Sequence, residues 1–215
     1  MTRPLHRLAA MALASAALAG SLSACAPLVL GGAAVGGLVA VDRRTSGAQL
    51  EDEGIELRSA SRLRDAMGER SHVNVTSYNR QVLLTGEVPS DRDKQAAEQI
   101  VSKVENVRTV VNDLAVAANS SLAQRSSDTL TTGKVRASLV DDKLLQASAF
   151  KVVTERGTVY LMGLVTQREA DRATELTRGV SGVQRVVRVF ELISEDDMRR
   201  IAPTQPRTDA PRQAQ

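Results

Sequence analysis

Two copies of one seven-residue pattern, V-x-L-x-G-x-V, constrain this chain more than any other feature. Val82-Leu83-Leu84-Thr85-Gly86-Glu87-Val88 is the first copy and Val159-Tyr160-Leu161-Met162-Gly163-Leu164-Val165 the second. Upstream, Val75 answers Val152. Downstream, Val104, Val107, Val110 and Val111 answer Val180, Val183, Val186 and Val187 after a one-residue slip. A period of roughly 77 residues is too long for a solenoid unit and suits two small domains of one fold.

Each copy reads as helix, strand, strand, helix, strand. Hydrophobic spacing predicts first helices over residues 48–67 and 126–140, and first strands over 73–78 and 150–155. Turns at Asn79-Arg80 and Arg156-Gly157 join them as hairpins to the strands of the repeated motif. Second helices are expected over 90–103 and 167–178, with Ala96, Ala97, Ile100 and Val101 as the apolar stripe of the first copy. The last strands are expected over 109–117 and 185–193. The fold class is therefore α+β: two tandem αββαβ domains, each a three-stranded mixed sheet packed against two helices, with right-handed crossovers.

Side chains alternate along a strand, so Val82, Leu84, Gly86 and Val88 share one face, assigned to the helices. A glycine there implies close helix approach or a bulge. The opposite face carries Leu83 and Thr85 in the first copy, and Tyr160, Met162 and Leu164 in the second. That second face is too apolar to leave in water, so Tyr78, Thr85, Val153, Tyr160 and Met162 are expected where the two open sheets cover each other. The alternative is a scatter of exposed apolar residues, or a face that docks a protein partner.

The N-terminus adds a location. Arg3, His6 and Arg7 form a basic head, Leu8–Gly20 is an alanine- and leucine-rich core too short to span a bilayer, and small residues lead into Cys25, the chain's one cysteine. That is the layout of a secretory signal, and Leu22-Ser23-Ala24-Cys25 resembles a lipobox, whose cysteine is acylated once the leader is cut. Two acyl chains suffice for stable anchoring, at about 0.8 kcal/mol per buried methylene. Ala26 follows the cysteine, in place of the Asp that holds such proteins in the inner membrane, which points to the outer membrane facing the periplasm. Losing Arg3 and Arg7 lowers the formal charge from +3 to +1. Charge and compartment both argue against nucleic acid as a partner. Residues 26–41 are apolar and glycine-rich and read as a flexible segment at the lipid surface; Pro203, Pro206 and Pro211 mark a disordered tail.

Catalytic chemistry is poorly provided. His72 is the one histidine beyond the leader, and it lacks the sequence neighbours of a transition-metal set. Glu51-Asp52-Glu53 and Asp141-Asp142 read as solvated charge at helix ends, and Glu195-Asp196-Asp197 as a polar exit from the last strand. No phosphate loop or nucleophile elbow is present. No enzyme activity, cofactor or metal is expected. The helix over residues 128–141 is more informative. Val135 and Leu139 share the face turned to the sheet, while Leu130, Gly133, Ala137 and Val140 lie on the opposite side, flanked by Lys134 and Arg136. That outward stripe suits shallow contact with an anionic membrane, opposed by Asp141 and Asp142, or packing against the linker or first domain.

Lipobox, duplicated strands and the Val180-Ser181-Gly182-Val183 turn together resemble the BON-domain family, and most closely its dual-BON-domain outer-membrane lipoproteins. Asp42-Arg43-Arg44-Thr45, Gly54-Ile55-Glu56-Leu57-Arg58, Lys134-Val135-Arg136 and residues 157–168 carry the likeness. It divides the chain into a signal peptide (1–24), a lipidated N-terminus and flexible linker (25–46), BON domain 1 (47–117), a linker (118–125), BON domain 2 (126–194) and a tail (195–215). Two positions depart from the family pattern. Arg80 replaces a usual hairpin glycine, which leaves Asn79 to take any left-handed conformation, and Leu130 replaces a frequent tryptophan. The resemblance implies a non-enzymatic envelope-integrity factor whose second BON domain binds anionic phospholipid such as phosphatidylglycerol, and the helical face of Leu130, Gly133, Lys134, Arg136, Ala137 and Val140 is the expected contact. It also implies influence on outer-membrane protein assembly; a periplasmic adaptor for such an assembly machine is the alternative.

Overall fold

Thr45 accepts a hydrogen bond from the Ala48 amide (3.1 Å) and is the N-cap that opens helix α1 over Ser46–Met67. The structure is a computed structural model and describes residues 42–201. The lipobox with Cys25, the apolar segment 26–41 and residues 202–215 lie outside the described residues. After α1 come β1 (His72–Tyr78), β2 (Gln81–Val88), α2 (Asp91–Ser102), β3 (Thr109–Asn112) and β4 (Ala115–Val116). The second repeat follows with α3 (Leu122–Asp141), β5 (Phe150–Glu155), β6 (Thr158–Val165), α4 (Gln167–Arg178) and β7 (Arg185–Leu192).

Each repeat forms a mixed sheet with the motif strand at its centre. β2 pairs antiparallel with β1 and parallel with β3 and β4; β6 pairs antiparallel with β5 and parallel with β7. Val82, Leu84 and Val88 bury against Ile55, Leu63 and Met67 of α1 and Ala97 and Val101 of α2. Val159, Leu161 and Val165 do the same against Val135 and Leu139 of α3 and Ala170 and Ala173 of α4. The opposite faces pack on each other: Tyr78 and Leu83 from the first sheet meet Tyr160, Met162, Leu164 and Val189 from the second, with Val111, Val153 and Val187 at the margin. Thr85 is also buried.

Five expectations need correction. The last strand of the first repeat is broken: Asn112 Oδ1 accepts from the Leu114 amide (3.3 Å) and its Nδ2 donates to the Lys94 carbonyl (2.8 Å), turning the backbone out of the ladder between β3 and β4. The motif glycines answer to backbone at the start of the neighbouring strand or in the 3-10 turn just before it, not to one of the helices α1–α4. A Cβ on Gly86 would sit 2.0 Å from the His72 carbonyl oxygen, and one on Gly163 would sit 2.4 Å from that of Ala149. Arg80 does not leave the left-handed turn to Asn79 alone; both have positive φ (50° and 67°), the two-residue requirement of a type I′ hairpin. Glu195-Asp196-Asp197 opens a short helix, α5 (Glu195–Ile201), capped by Ser194, whose Oγ accepts from the Asp197 amide (3.0 Å). Finally, within the segment expected as a flexible linker, Arg43 is bonded to Glu169 of the second domain and Arg44 to Asp52 of the first and to Asp42.

Candidate functional site

Helix α3 presents the candidate surface. Ser121 caps it by accepting from the Gln124 amide (3.2 Å), four residues earlier than hydrophobic spacing alone suggests. Thr131, Val135 and Leu139 are buried toward the sheet, while Leu130, Gly133, Lys134, Arg136, Ala137 and Val140 are all exposed. Leu130 and Val140 are each 68% exposed, and Gly133 opens onto free space. The longer helix adds Leu122, 80% exposed and one face-repeat before Leu130; Leu144, 76% exposed, follows the helix end. At 1.5 Å per residue, the stripe from Leu122 to Val140 runs about 27 Å.

Charge around that stripe is mostly cationic. Lys134 Nζ donates to Ser181 Oγ (3.0 Å), and Arg136 Nη2 reaches the Val152 carbonyl at 3.4 Å. Asp142, expected to oppose an anionic surface, is turned away: its side chain is buried against Arg172 (2.8 Å) and accepts from the Leu144 amide (2.9 Å). The Arg172 hydrogen bond holds its carboxyl below the ordinary range. A cavity of about 380 Å³ opens beside the C-terminal end of the stripe, walled by Tyr78, Leu139, Val140, Phe150 and Val152, with Arg44, Arg136 and Lys151 among its polar residues.

Between the sheets, the residues expected at the seam divide plainly. Tyr78, Tyr160 and Met162 join one buried cluster, Val153 packs at its edge, and Thr85 is enclosed with its hydroxyl lacking a hydrogen-bond partner. The sheet faces are consequently not open to a docking protein. Polar groups close the rim. Lys151 Nζ donates to Glu56 Oε1 (2.8 Å) and the Ser77 carbonyl (3.1 Å), and Tyr160 Oη donates to Asp113 Oδ2 (2.8 Å). Desolvation together with Asp113 pushes the Tyr160 phenol well up. At one end, Arg43 donates to Glu169 Oε1 and Oε2 (2.6 and 2.8 Å) and to the Leu164 carbonyl (2.9 Å), while Arg44 bonds Asp42 and Asp52 and lies 4.3 Å over the Tyr78 ring. At the other end stand His72 and Glu87 of the first domain and Glu155 and Arg156 of the second.

One acidic residue read as solvated charge, Asp52, is a structural anchor, and Asp128 is its counterpart in the second repeat. Asp52, only 2% exposed, accepts from the amides of Asn79 and Arg80 (both 2.7 Å) and from Ser77 Oγ (2.6 Å). Burial alone would raise its pKa, but those hydrogen bonds and Arg44 hold it below the usual range. Asp128 repeats the arrangement, accepting from the amides of Arg156 and Gly157 (both 2.9 Å). Their positions before each first strand, at the repeat spacing, were the available signal.

Residues 52–118 and 127–193 each match the model of the BON domain. The chain is 38% identical over 174 residues to "Outer membrane lipoprotein DolP" of Haemophilus influenzae, covering 80% of this chain and 90% of that protein. It is 33% identical over 155 residues to a "21 kDa hemolysin" of Actinobacillus pleuropneumoniae, covering 71% and 80%. A third relative, the "Osmotically-inducible protein Y" of Escherichia coli, is 32% identical over 117 residues, covering 53% and 58%.

Proposed function

Since the chain belongs to the BON-domain family and carries two such domains, we propose that it is an outer-membrane lipoprotein that supports envelope integrity. Cys25 carries the acyl anchor, and the outward face of α3 in the second domain rests on anionic phospholipid of the phosphatidylglycerol kind. The Haemophilus relative's name supports the location. The single observation that carries the lipid contact is the apolar stripe of Leu122, Leu130, Ala137 and Val140, left in water along a helix whose inner face is fully packed.

Magnitudes make this a positional device more than a tight receptor. Full burial of one leucine or valine contributes roughly 1.5–3 kcal/mol, and shallow insertion contributes less. Each cation near an anionic leaflet adds about 1 kcal/mol, screened by salt. The acyl anchor raises the local concentration, so weak contact suffices to orient the domain. The reading is of a binding protein and not a catalyst: Asp52, Glu87, Asp128 and Glu169 are each engaged in holding turns, caps or domains together.

The test uses the mature chain with Cys25→Ser, so that any membrane association belongs to the folded part. It should float with phosphatidylglycerol vesicles and not with phosphatidylcholine vesicles. Leu130→Glu should lower the affinity about tenfold or more, while Leu50→Glu on α1, equally exposed, should leave it unchanged. Unaltered flotation of Leu130→Glu rejects the assigned face.

A further inference from the structure

The far end of the domain seam holds an unusual set of groups. His72 opens β1, Glu87 lies opposite it on β2, and Glu155 ends β5 in the other domain. Glu87 is fully buried, Glu155 nearly so, and the ring nitrogen and carboxylate oxygens of the three lie within 4.8 Å of one another. Their sequence separation hides this set; two separate folds must meet to assemble it.

We propose that His72, Glu87 and Glu155 form a binding site for a divalent transition metal, with Zn²⁺ the best-matched ion, which fastens the two BON domains across their seam. Imidazole nitrogen and carboxylate oxygen are both zinc donors, and the two anions balance the ion's charge in a buried place. His72 Nδ1 and Glu87 Oε2 are already 3.0 Å apart, close to the separation of adjacent ligands on a tetrahedral ion.

A second layer of contacts aims the carboxylates. Asn74 Nδ2 donates to Glu155 Oε2 (2.9 Å), and the Ser120 amide donates to Glu87 Oε2 (3.1 Å). Such outer partners orient ligands in established metal sites. Arg156 stands 3.4 Å from Glu87 Oε1 and opposes a cation, but its side chain is about half exposed.

The electrostatics fit an ion-seeking pair. Burial, reinforced by the charges of Glu87 and Asp128, pushes the Glu155 carboxyl up, with Asn74 and His72 acting the other way. Metal ligands bind in their deprotonated forms, so Zn²⁺ binding weakens as pH falls. Around the three candidate ligands, Arg156 and Asp128 bring further charge from the second domain, and Arg125 bonds Ser120, whose amide holds Glu87.

His72 offers a clean readout, because the sequence has no other histidine beyond residue 6. The chelator-treated mature chain, with Cys25→Ser to remove the thiol, is titrated with ZnCl₂ by calorimetry and followed by NMR of the imidazole ring. Stoichiometric binding with a shift of the His72 ring signals, and a rise in melting temperature, is expected. His72→Ala and Glu155→Gln should each weaken binding by about tenfold or more, with circular dichroism confirming that both variants fold. Absence of binding at millimolar Zn²⁺, binding that leaves the His72 signals in place, or unchanged affinity in both variants overturns the site. None of these outcomes bears on vesicle flotation, so this site and the lipid contact stand or fall separately.

Discussion

Helices α1 and α3 occupy the same place in the two repeats and differ on their outer faces. Toward the sheet they are equivalent: Asp52, Ile55 and Leu63 on one, Asp128, Val135 and Leu139 on the other. Outward, α1 also exposes leucines, Leu50 and Leu57, but sets Glu53 and the Glu51–Arg58 ion pair beside them. On α3 the one acid between Leu122 and Val140 is Asp128, which is buried, and Arg125, Lys134 and Arg136 supply the charge. The fold fixes the inner residues of each helix; the outer ones are free to differ, and on α3 they form an apolar stripe edged by cations.

The shared inner design is most sharply tested at the two aspartates. Asp52 serves two turn amides, the Ser77 hydroxyl and Arg44, whereas Asp128 serves two turn amides and Gln124. Removing a partner from a buried ion pair costs about 3–5 kcal/mol, and orphaning buried donors about 1–3 kcal/mol each. Asp52→Ala should therefore lose about 3–5 kcal/mol in urea unfolding and Asp128→Ala about 2–3 kcal/mol. Because Asp52 has a folded pKa below its unfolded value, its contribution is complete above the ordinary carboxylate pKa of about 4. It fades as pH falls through the depressed folded value, so the gap between wild type and Asp52→Ala should close in acid. Equal losses in the two repeats, or a gap that widens in acid, would break the comparison.

Much of this was legible before any coordinates. Alternation along Val82–Val88 and Val159–Val165 sorted helix-facing from partner-facing residues, because period two leaves little freedom once the core face is known. The outward stripe on α3 was legible for the same reason at a helical period. What escaped was non-local or carried by single polar atoms: the Arg43 and Arg44 strap, the strand break at Asn112, and the meeting of His72 with Glu155. No periodicity encodes a hydrogen bond spanning 126 residues, as that of Arg43 with Glu169 does. The motif glycines show the limit well. Their pattern announced a tight place, but only the register reveals the carbonyls of His72 and Ala149 filling it. Gly86 has φ of 108°, a strained angle for any side chain, and Gly163 is not among the positive-φ glycines. Gly86→Ala should thus cost about 2–3 kcal/mol from strain and clash together, and Gly163→Ala less, from the clash alone. A larger loss at Gly163 in thermal unfolding would show that the twist at Gly86 is not what distinguishes the first sheet.

The smallest expected effect comes from Thr85, one of two seam-side motif positions where the repeats disagree in polarity, the other being Glu87 against Leu164. Thr85 aligns with Met162; both are buried where the sheets meet, yet the Thr85 hydroxyl has no hydrogen-bond partner. A buried hydroxyl without a partner costs free energy that a methyl group of the same shape does not. Thr85→Val keeps the β-branched outline suited to a strand and should stabilise the protein by about 1 kcal/mol or less, measured as a raised urea midpoint with an unchanged slope. The seam of the first domain would then be as apolar there as that of the second. A loss of stability instead would mean that the hydroxyl is satisfied across the seam in solution, and that the two faces are less alike than their shared burial indicates.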